Sequence, residues 1–147
     1  MKKVFLLSLG AALCFQVNSA NAADTLLDFS INEALGDPKI SEVLYDQVAL
    51  YWGEQNHPTV KTEYGNFNAS RRTNKIGKSR EEACRWAFAS SLKVLQERAM
   101  KEGGNAVVNI TSNIKNMAYS STENYQCLAG GMMVNVVFTG DVVRLSE

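Results

Sequence analysis

The stretch that decides the fold is residues 79–114, SREEACRWAFASSLKVLQERAMKEGGNAVVNITSNI. Its first residue, Ser79, forms a capping box with Glu82, and the helix-forming residues that follow end at two consecutive glycines. This pattern predicts one long helix over residues 79–102. The β-branched run after the glycines predicts a strand over residues 105–114.

One stripe of the predicted helix is apolar. At 3.6 residues per turn, the stripe consists of Cys84, Phe88, Leu92, Leu95 and Ala99. The stripe should face a sheet, so we expect Cys84 to point into the core. Trp86 falls almost opposite, where we expect the N-terminal segment to cover it.

Two short helices are predicted upstream, over residues 31–35 and 38–45, by a capping box at Ser30 and by the pair Asp37-Pro38. Apolar and β-branched runs predict the other extended segments at residues 48–52, 59–67, 123–128, 132–139 and 142–145. The expected fold is α+β, with one main helix packed on a mostly antiparallel sheet of four or five strands and the short helices over an edge or face. Alternation within the strand after the main helix predicts one common face for Val108, Ile110, Ser112 and Ile114.

The N-terminus has the three parts of a secretory signal peptide. Two lysines precede an apolar run over residues 4–17, and Ala20-Asn21-Ala22 is a small-x-small cleavage motif. The run is shorter than the roughly 20 residues that span a bilayer, which favours a cleaved signal over a retained anchor. We predict a bacterial signal peptide over residues 1–22, cleavage after Ala22, and one periplasmic domain over residues 23–147. Cys14 lies inside the apolar run without a small residue before it, so no lipid anchor is expected.

Charge and length exclude some classes of function. The chain has 147 residues with 15 basic and 15 acidic side chains, and the predicted cleavage removes two lysines and no acid. The remaining chain is therefore slightly acidic, which excludes an overall basic nucleic-acid binder but leaves room for a local basic patch.

Two cysteines remain after the predicted cleavage, Cys84 and Cys127. In an oxidising compartment such a pair predicts a disulfide, and a redox-active pair would more often show C-x-x-C spacing. Because Cys84 lies on the apolar stripe and Cys127 in a predicted strand, the bond should join helix to sheet.

A basic run precedes the main helix. It is predicted to be a loop, and its cations are Arg71, Arg72, Lys75, Lys78 and Arg80. Because it ends at a helix N-terminus, it is a candidate site for an anionic partner such as a lipid headgroup, a lipopolysaccharide phosphate, a cell-wall polymer or an acidic protein. The alternative is a solvated loop, with or without pairing to the acidic segment over residues 24–54.

Aromatic residues form a second candidate surface. Tyr51, Trp52 and Trp86 are aromatic enough to line a shallow groove for a sugar or a peptide. The alternative is that they hold the N-terminal segment onto the domain.

Nucleotide hydrolysis is not expected. Gly77-Lys78-Ser79 opens the helix as the end of a P-loop would, but the first glycine of that motif would fall at position 72, which is Arg72. Ser79 is better interpreted as the helix N-cap.

No other catalytic or metal-binding pattern is present. His57 is the only histidine and precedes a proline, which is typical of a loop rather than of a zinc site. Met132-Met133 is interpreted as core packing rather than as a copper site. We expect no catalytic residue, metal or cofactor.

The order of helix, Gly-Gly-Asn-Ala-Val-Val strand, loop and cysteine-bearing strand carries a resemblance. With residues 84–88 (CRWAF), Val108 and Cys127, it resembles a family of small exported bacterial proteins often labelled "excinuclease ATPase subunit". Residues 84–138 more distantly resemble the Rcs-pathway stress-sensor lipoprotein domain and the YbjQ-like domains. These share a helix packed on a sheet, and the sensor's domain is stapled by disulfides between such elements. The sensor has more cysteines and a lipid anchor, so its signalling role is not carried over.

The leading functional hypothesis is a non-enzymatic periplasmic module that binds an anionic envelope component or another periplasmic protein. Export would remove the chain from cytoplasmic ATP and DNA, so neither a genuine excinuclease ATPase nor a nucleic-acid partner is expected. The alternatives are a small periplasmic hydrolase with an unrecognised site and an envelope assembly factor.

Overall fold

The computed structural model describes residues 24–147, so the predicted signal peptide, its cleavage site and Cys14 lie outside the described residues. The elements in chain order are β1 Thr25–Ser30, α1 Ile31–Gly36, α2 Pro38–Ser41, β2 Ala49–Trp52, β3 Val60–Asn74, α3 Arg80–Glu102, β4 Ala106–Ile114, β5 Met117–Tyr119, β6 Asn124–Ala129 and β7 Met133–Leu145. Among these helices none is long and apolar enough to cross a membrane.

The sheet is organised around β7. β3 pairs with β7 along its whole length on one side, while β6 and β4 share the other side. β1 extends the sheet beyond β6, and β2 and β5 both border β4. The predicted α+β class and single main helix are confirmed. The expected sheet is only roughly right, because it has seven strands and the β2–β4 pair is parallel.

The main helix forms where its end signals place it. Ser79 Oγ accepts the Glu82 amide at 3.1 Å, and the helix ends at Gly103 with a φ of 86°. Glycine adopts this left-handed backbone without the steric cost that a side chain adds.

The apolar stripe of α3 packs on β7 and β3 and forms the core. Its predicted members, Cys84, Phe88, Leu92, Leu95 and Ala99, are all fully buried. Ser91 Oγ donates to the Val136 carbonyl at 2.8 Å and ties the helix to β7. Gly140 of β7 leaves room for the side chain of Val107 in β4, because an added Cβ would lie 2.5 Å from Val107 Cγ1.

A disulfide joins Cys84 of α3 to Cys127 of β6, as predicted. The two Cα atoms are 6.0 Å apart, and both side chains are fully buried. The bond therefore fixes the first turns of α3 against the sheet.

The alternation of side chains between the two sheet faces is interrupted in the middle of β4. Asn109 has a φ of 51°, and the pairing with β7 shifts register between Val108 and Thr111. Val108 therefore packs on the sheet face opposite α3, whereas Ile110 packs in the main core. The predicted common face was wrong at Val108, because a bulge interrupts the alternation of side chains.

β3 is longer than predicted. Residues 71–74, expected to be loop, continue the strand opposite residues 133–136 of β7. Its side chains are polar or charged, so composition indicates a loop. The backbone hydrogen bonds that β7 offers make it a strand instead.

The second short helix ends early, at Ser41 rather than at residue 45. Gln96 of α3 accounts for the turns that follow: its side chain accepts from the Tyr45 amide at 2.9 Å and donates to the carbonyls of Tyr45 and Val48 at 2.9 and 3.0 Å. One buried amide thus fastens the N-terminal segment to the main helix.

Candidate functional site

A tight turn joins β3 to α3. The Lys78 amide donates to the Lys75 carbonyl at 3.0 Å, and Gly77 has a φ of 68°. Asn74 Oδ1 accepts the Ile76 amide at 3.2 Å. This geometry holds Ile76 at the corner of the turn, where it is 74% exposed.

A second turn joins β6 to β7. The Gly130 amide donates to the Met133 carbonyl at 2.8 Å. Met132 and Met133 are 73% and 43% exposed, so the prediction that they pack in the core was wrong. The physical reason is position: Met132 lies in the turn and Met133 is the first residue of β7.

The two turns lie side by side at one end of the sheet. The Lys75 amide donates to the Met132 carbonyl at 2.9 Å, and Lys75 Nζ donates to the Gly130 carbonyl. We call this end the basic end: the turns at residues 75–78 and 130–133 together with Arg71, Arg72 and Arg80.

The cations of the basic end point in different directions. Arg71 lies opposite Val136 in the pairing of β3 with β7, on the face that α3 covers. Arg72 lies opposite Asn135, on the other face, and Arg80 is the first residue of α3. All three arginines are exposed, whereas Lys75 and Lys78 are partly buried.

None of these five cations forms an ion pair within the described part of the chain. Lys75 and Lys78 hydrogen-bond to neighbouring backbone and to Asn74, which stabilises the turns. Arg71 Nη1 donates to the Ser70 carbonyl at 3.0 Å. One carboxylate, Asp24, lines the same shallow cleft as Arg72.

The acidic N-terminal segment pairs elsewhere on α3. Arg85 lies 3.4 Å from Asp37 and 2.6 Å from Glu81. Among residues 24–147, the basic run forms no ion pair with the acidic segment.

The three candidate aromatic residues do not form one surface. Trp52 is 5% exposed and stacks on Phe88 with centroids 5.6 Å apart, so it belongs to the core. Tyr51 lies on the opposite sheet face with its ring edge against His57, at 5.6 Å. Trp86 is partly buried and lines a polar cleft with Ile40.

Tyr125 is a buried titratable group near Arg85 and Glu81, two residues that line that cleft. Its ring packs on Phe88 at 4.4 Å, and its hydroxyl has no hydrogen-bond partner among residues 24–147. Burial raises the pKa of the Tyr125 hydroxyl well above its usual range; Glu81 adds to the rise and Arg85 opposes it. The hydroxyl therefore stays protonated at neutral pH and cannot act as a base there.

Other chemistry has little support within the described residues. They contain no cluster of three or more histidine, cysteine or carboxylate side chains that could hold a metal ion. Both described cysteines are consumed by the disulfide, and His57 Nδ1 lies 2.8 Å from the Pro58 carbonyl.

Sequence reasoning missed the exposed apolar residues of the basic end. Ile76 is an isolated apolar residue between Lys75 and Gly77, and Met132 follows Gly130-Gly131. Apolar residues beside turn-forming glycines were the available signal.

No protein-family match, no match among curated proteins and no match among solved structures is found for this chain, so the family resemblance stays a prediction.

Proposed function

We propose that this protein is an exported, non-enzymatic module that binds an anionic component of the bacterial envelope through its basic end. The observation that carries the proposal is the set of five cations at that end, none of which has a carboxylate ion-pair partner among residues 24–147. A cation without a carboxylate partner in its own chain keeps its charge available to a phosphate or carboxylate of another molecule. The disulfide supports an oxidising destination, which agrees with export.

Arg72 and Arg80 are the residues to test. Both are exposed, and their replacement leaves the hydrogen bonds of Lys75 and Lys78 in place. Glutamate at position 80 also suits the first turn of a helix, where negative charge is favourable. The double variant Arg72→Glu/Arg80→Glu should therefore fold normally.

The measurement is retention of the exported protein on isolated envelope fractions and on immobilised inorganic polyphosphate. We expect the double variant to bind at least about tenfold more weakly, because each cation near an anionic surface contributes about 1 kcal/mol. The matched control is Lys61→Glu/Lys101→Glu, which makes the same charge change near the opposite end of β3 and of α3. Equal weakening by both variants would mean that net charge, and not the basic end, determines binding.

A further inference from the structure

In the described part of the chain, most of the large exposed apolar side chains lie at or near the basic end. Among residues 24–147, five large hydrophobic side chains are exposed: Leu26, Ile76, Met117, Met132 and Met133. Three of them lie in or next to the two turns. Leu26 is close by, since it pairs with Leu128 two residues before Gly130. Exposed apolar residues gathered in one place are typical of an interaction surface.

We propose that the basic end docks on an anionic lipid bilayer, with Ile76 and Met132 among the headgroups and the surrounding cations against lipid phosphates. This inference rests on the proposed function and names its partner.

The backbone of the two turns suits a poorly hydrated environment. The Ile76 amide bonds to Asn74, and the Ile76 carbonyl accepts from Lys78 Nζ at 3.4 Å. The carbonyls of Gly130 and Met132 accept from Lys75, and the Met133 carbonyl accepts from Gly130. Backbone groups already paired inside the protein lose little when water is removed, whereas unpaired groups would oppose insertion.

The arrangement of the cations favours a flat anionic surface over a linear anionic polymer as the partner. Arg71 and Arg72 lie on opposite faces of the sheet, and Arg80 begins α3. A linear polymer that follows one groove would reach cations on one face only. A flat surface that meets the end of the sheet lies beside both faces at once.

The combination of positive charge and exposed apolar side chains at the basic end also favours a lipid bilayer as the partner. Cations concentrate a protein at an anionic leaflet, and apolar side chains at the interface add a contribution that salt does not screen. Long basic side chains can extend beside such an apolar tip and keep their charges at headgroup level. The nearby carboxylates are Asp24, which lines a cleft with Arg72, and Glu81 and Glu82 in the first turn of α3. The five cations of the basic end outnumber these three carboxylates.

The first measurement is co-sedimentation with vesicles of phosphatidylethanolamine and phosphatidylglycerol, and with vesicles of phosphatidylcholine alone. We expect binding to the first and little to the second. Ile76→Ser/Met132→Ser should weaken binding at least about tenfold, because two apolar side chains no longer leave water. Met117→Ser removes a methionine that is 57% exposed and lies outside both turns, and it should leave binding unchanged.

The second measurement is the depth to which residue 76 enters the bilayer. The tryptophan fluorescence of Ile76→Trp should shift to shorter wavelength when the protein binds vesicles. Lipids brominated on their acyl chains should quench this fluorescence. Met117→Trp, with the same two native tryptophans as background, should show neither change. Far-ultraviolet circular dichroism and an intact disulfide by mass spectrometry establish that each variant is folded.

The outcomes separate the two proposals. Binding to polyphosphate or envelope fractions without vesicle binding overturns the bilayer inference and keeps the proposed function. The same holds if Ile76→Ser/Met132→Ser binds vesicles like the unmodified protein and Ile76→Trp is not quenched, because the contact is then purely electrostatic. Loss of binding to every anionic probe overturns both.

Discussion

Gln96 is a polar side chain in an otherwise apolar part of the core, and it determines how the N-terminal segment attaches. It is 1% exposed and makes three hydrogen bonds to the backbone of Tyr45 and Val48. Gln96→Leu would leave these backbone groups without their partner, and we expect it to lower the free energy of unfolding by about 3 kcal/mol. Urea denaturation measures the change. The adjacent exposed Glu97→Leu, which loses only a bond to the Tyr45 hydroxyl, should cost less than about 1 kcal/mol.

Tyr125 is a second decisive residue, because its buried hydroxyl has no partner in the described chain. Tyr125→Phe should leave stability unchanged or raise it at neutral pH, since it removes an unsatisfied polar group. The raised pKa also has a consequence above pH 10. Unfolded tyrosine loses its proton near a pKa of about 10 while the buried one keeps it, so this contribution is complete below that pH and is lost above it.

Thermal unfolding at a series of alkaline pH values tests this assignment. The unmodified protein should lose stability above pH 10 more steeply than Tyr125→Phe, by up to about 1.4 kcal/mol per pH unit. If the stability of the two proteins falls in parallel above pH 10, the assignment to Tyr125 is wrong. The matched control is Tyr51→Phe, which removes the hydroxyl of a partly buried tyrosine and leaves Tyr125 in place.

The link between α3 and β6 operates at the scale of elements. The Cys84–Cys127 bond closes a loop with a sequence separation of 43 residues, which corresponds to about 4 kcal/mol of chain entropy in the unfolded state. Cys84→Ala/Cys127→Ala should therefore unfold at a clearly lower urea concentration. Because both sulfurs are fully buried, a mild reductant should act only after the protein unfolds. Free thiols in the folded exported protein, seen by mass spectrometry, would contradict the pairing.

The paired strands β3 and β7, together with the first turn of α3, create the basic end. The long strand carries Arg71 and Arg72 outward, and the turns beyond it present Ile76 and Met132. No one element contains the whole surface.

At the scale of the whole molecule, charge is distributed unevenly although the total is balanced. The chain has equal numbers of basic and acidic residues, yet its N-terminal third is acidic and five cations gather at one end. Attraction to an anionic bilayer should therefore weaken with salt, because the Debye length falls from about 10 Å at 0.1 M to about 3 Å at 1 M. Because salt does not screen apolar contacts, part of the vesicle binding should persist at about 1 M salt. Ile76→Ser/Met132→Ser should remove this salt-resistant binding. Vesicle co-sedimentation across a salt series measures both parts, and the absence of salt-resistant binding would contradict insertion.

Sequence alone determined the main helix and the partners of the disulfide. Helix caps and a 3.6-residue apolar period are local properties, so Ser79, the two glycines and the apolar stripe were sufficient. Cys84 could be placed in the core from its helical phase alone.

Only the tertiary structure decided which residues share a surface. The extension of β3 to Asn74, the change of face at Asn109 and the burial of Trp52 all depend on strands distant in sequence. For the same reason the basic run could be found in the sequence, but its division between two sheet faces and its contact with the turn of Met132 could not. Hydrogen-bond partners and register fix those positions, and a polar or aromatic residue carries no local mark of the strand that will lie beside it.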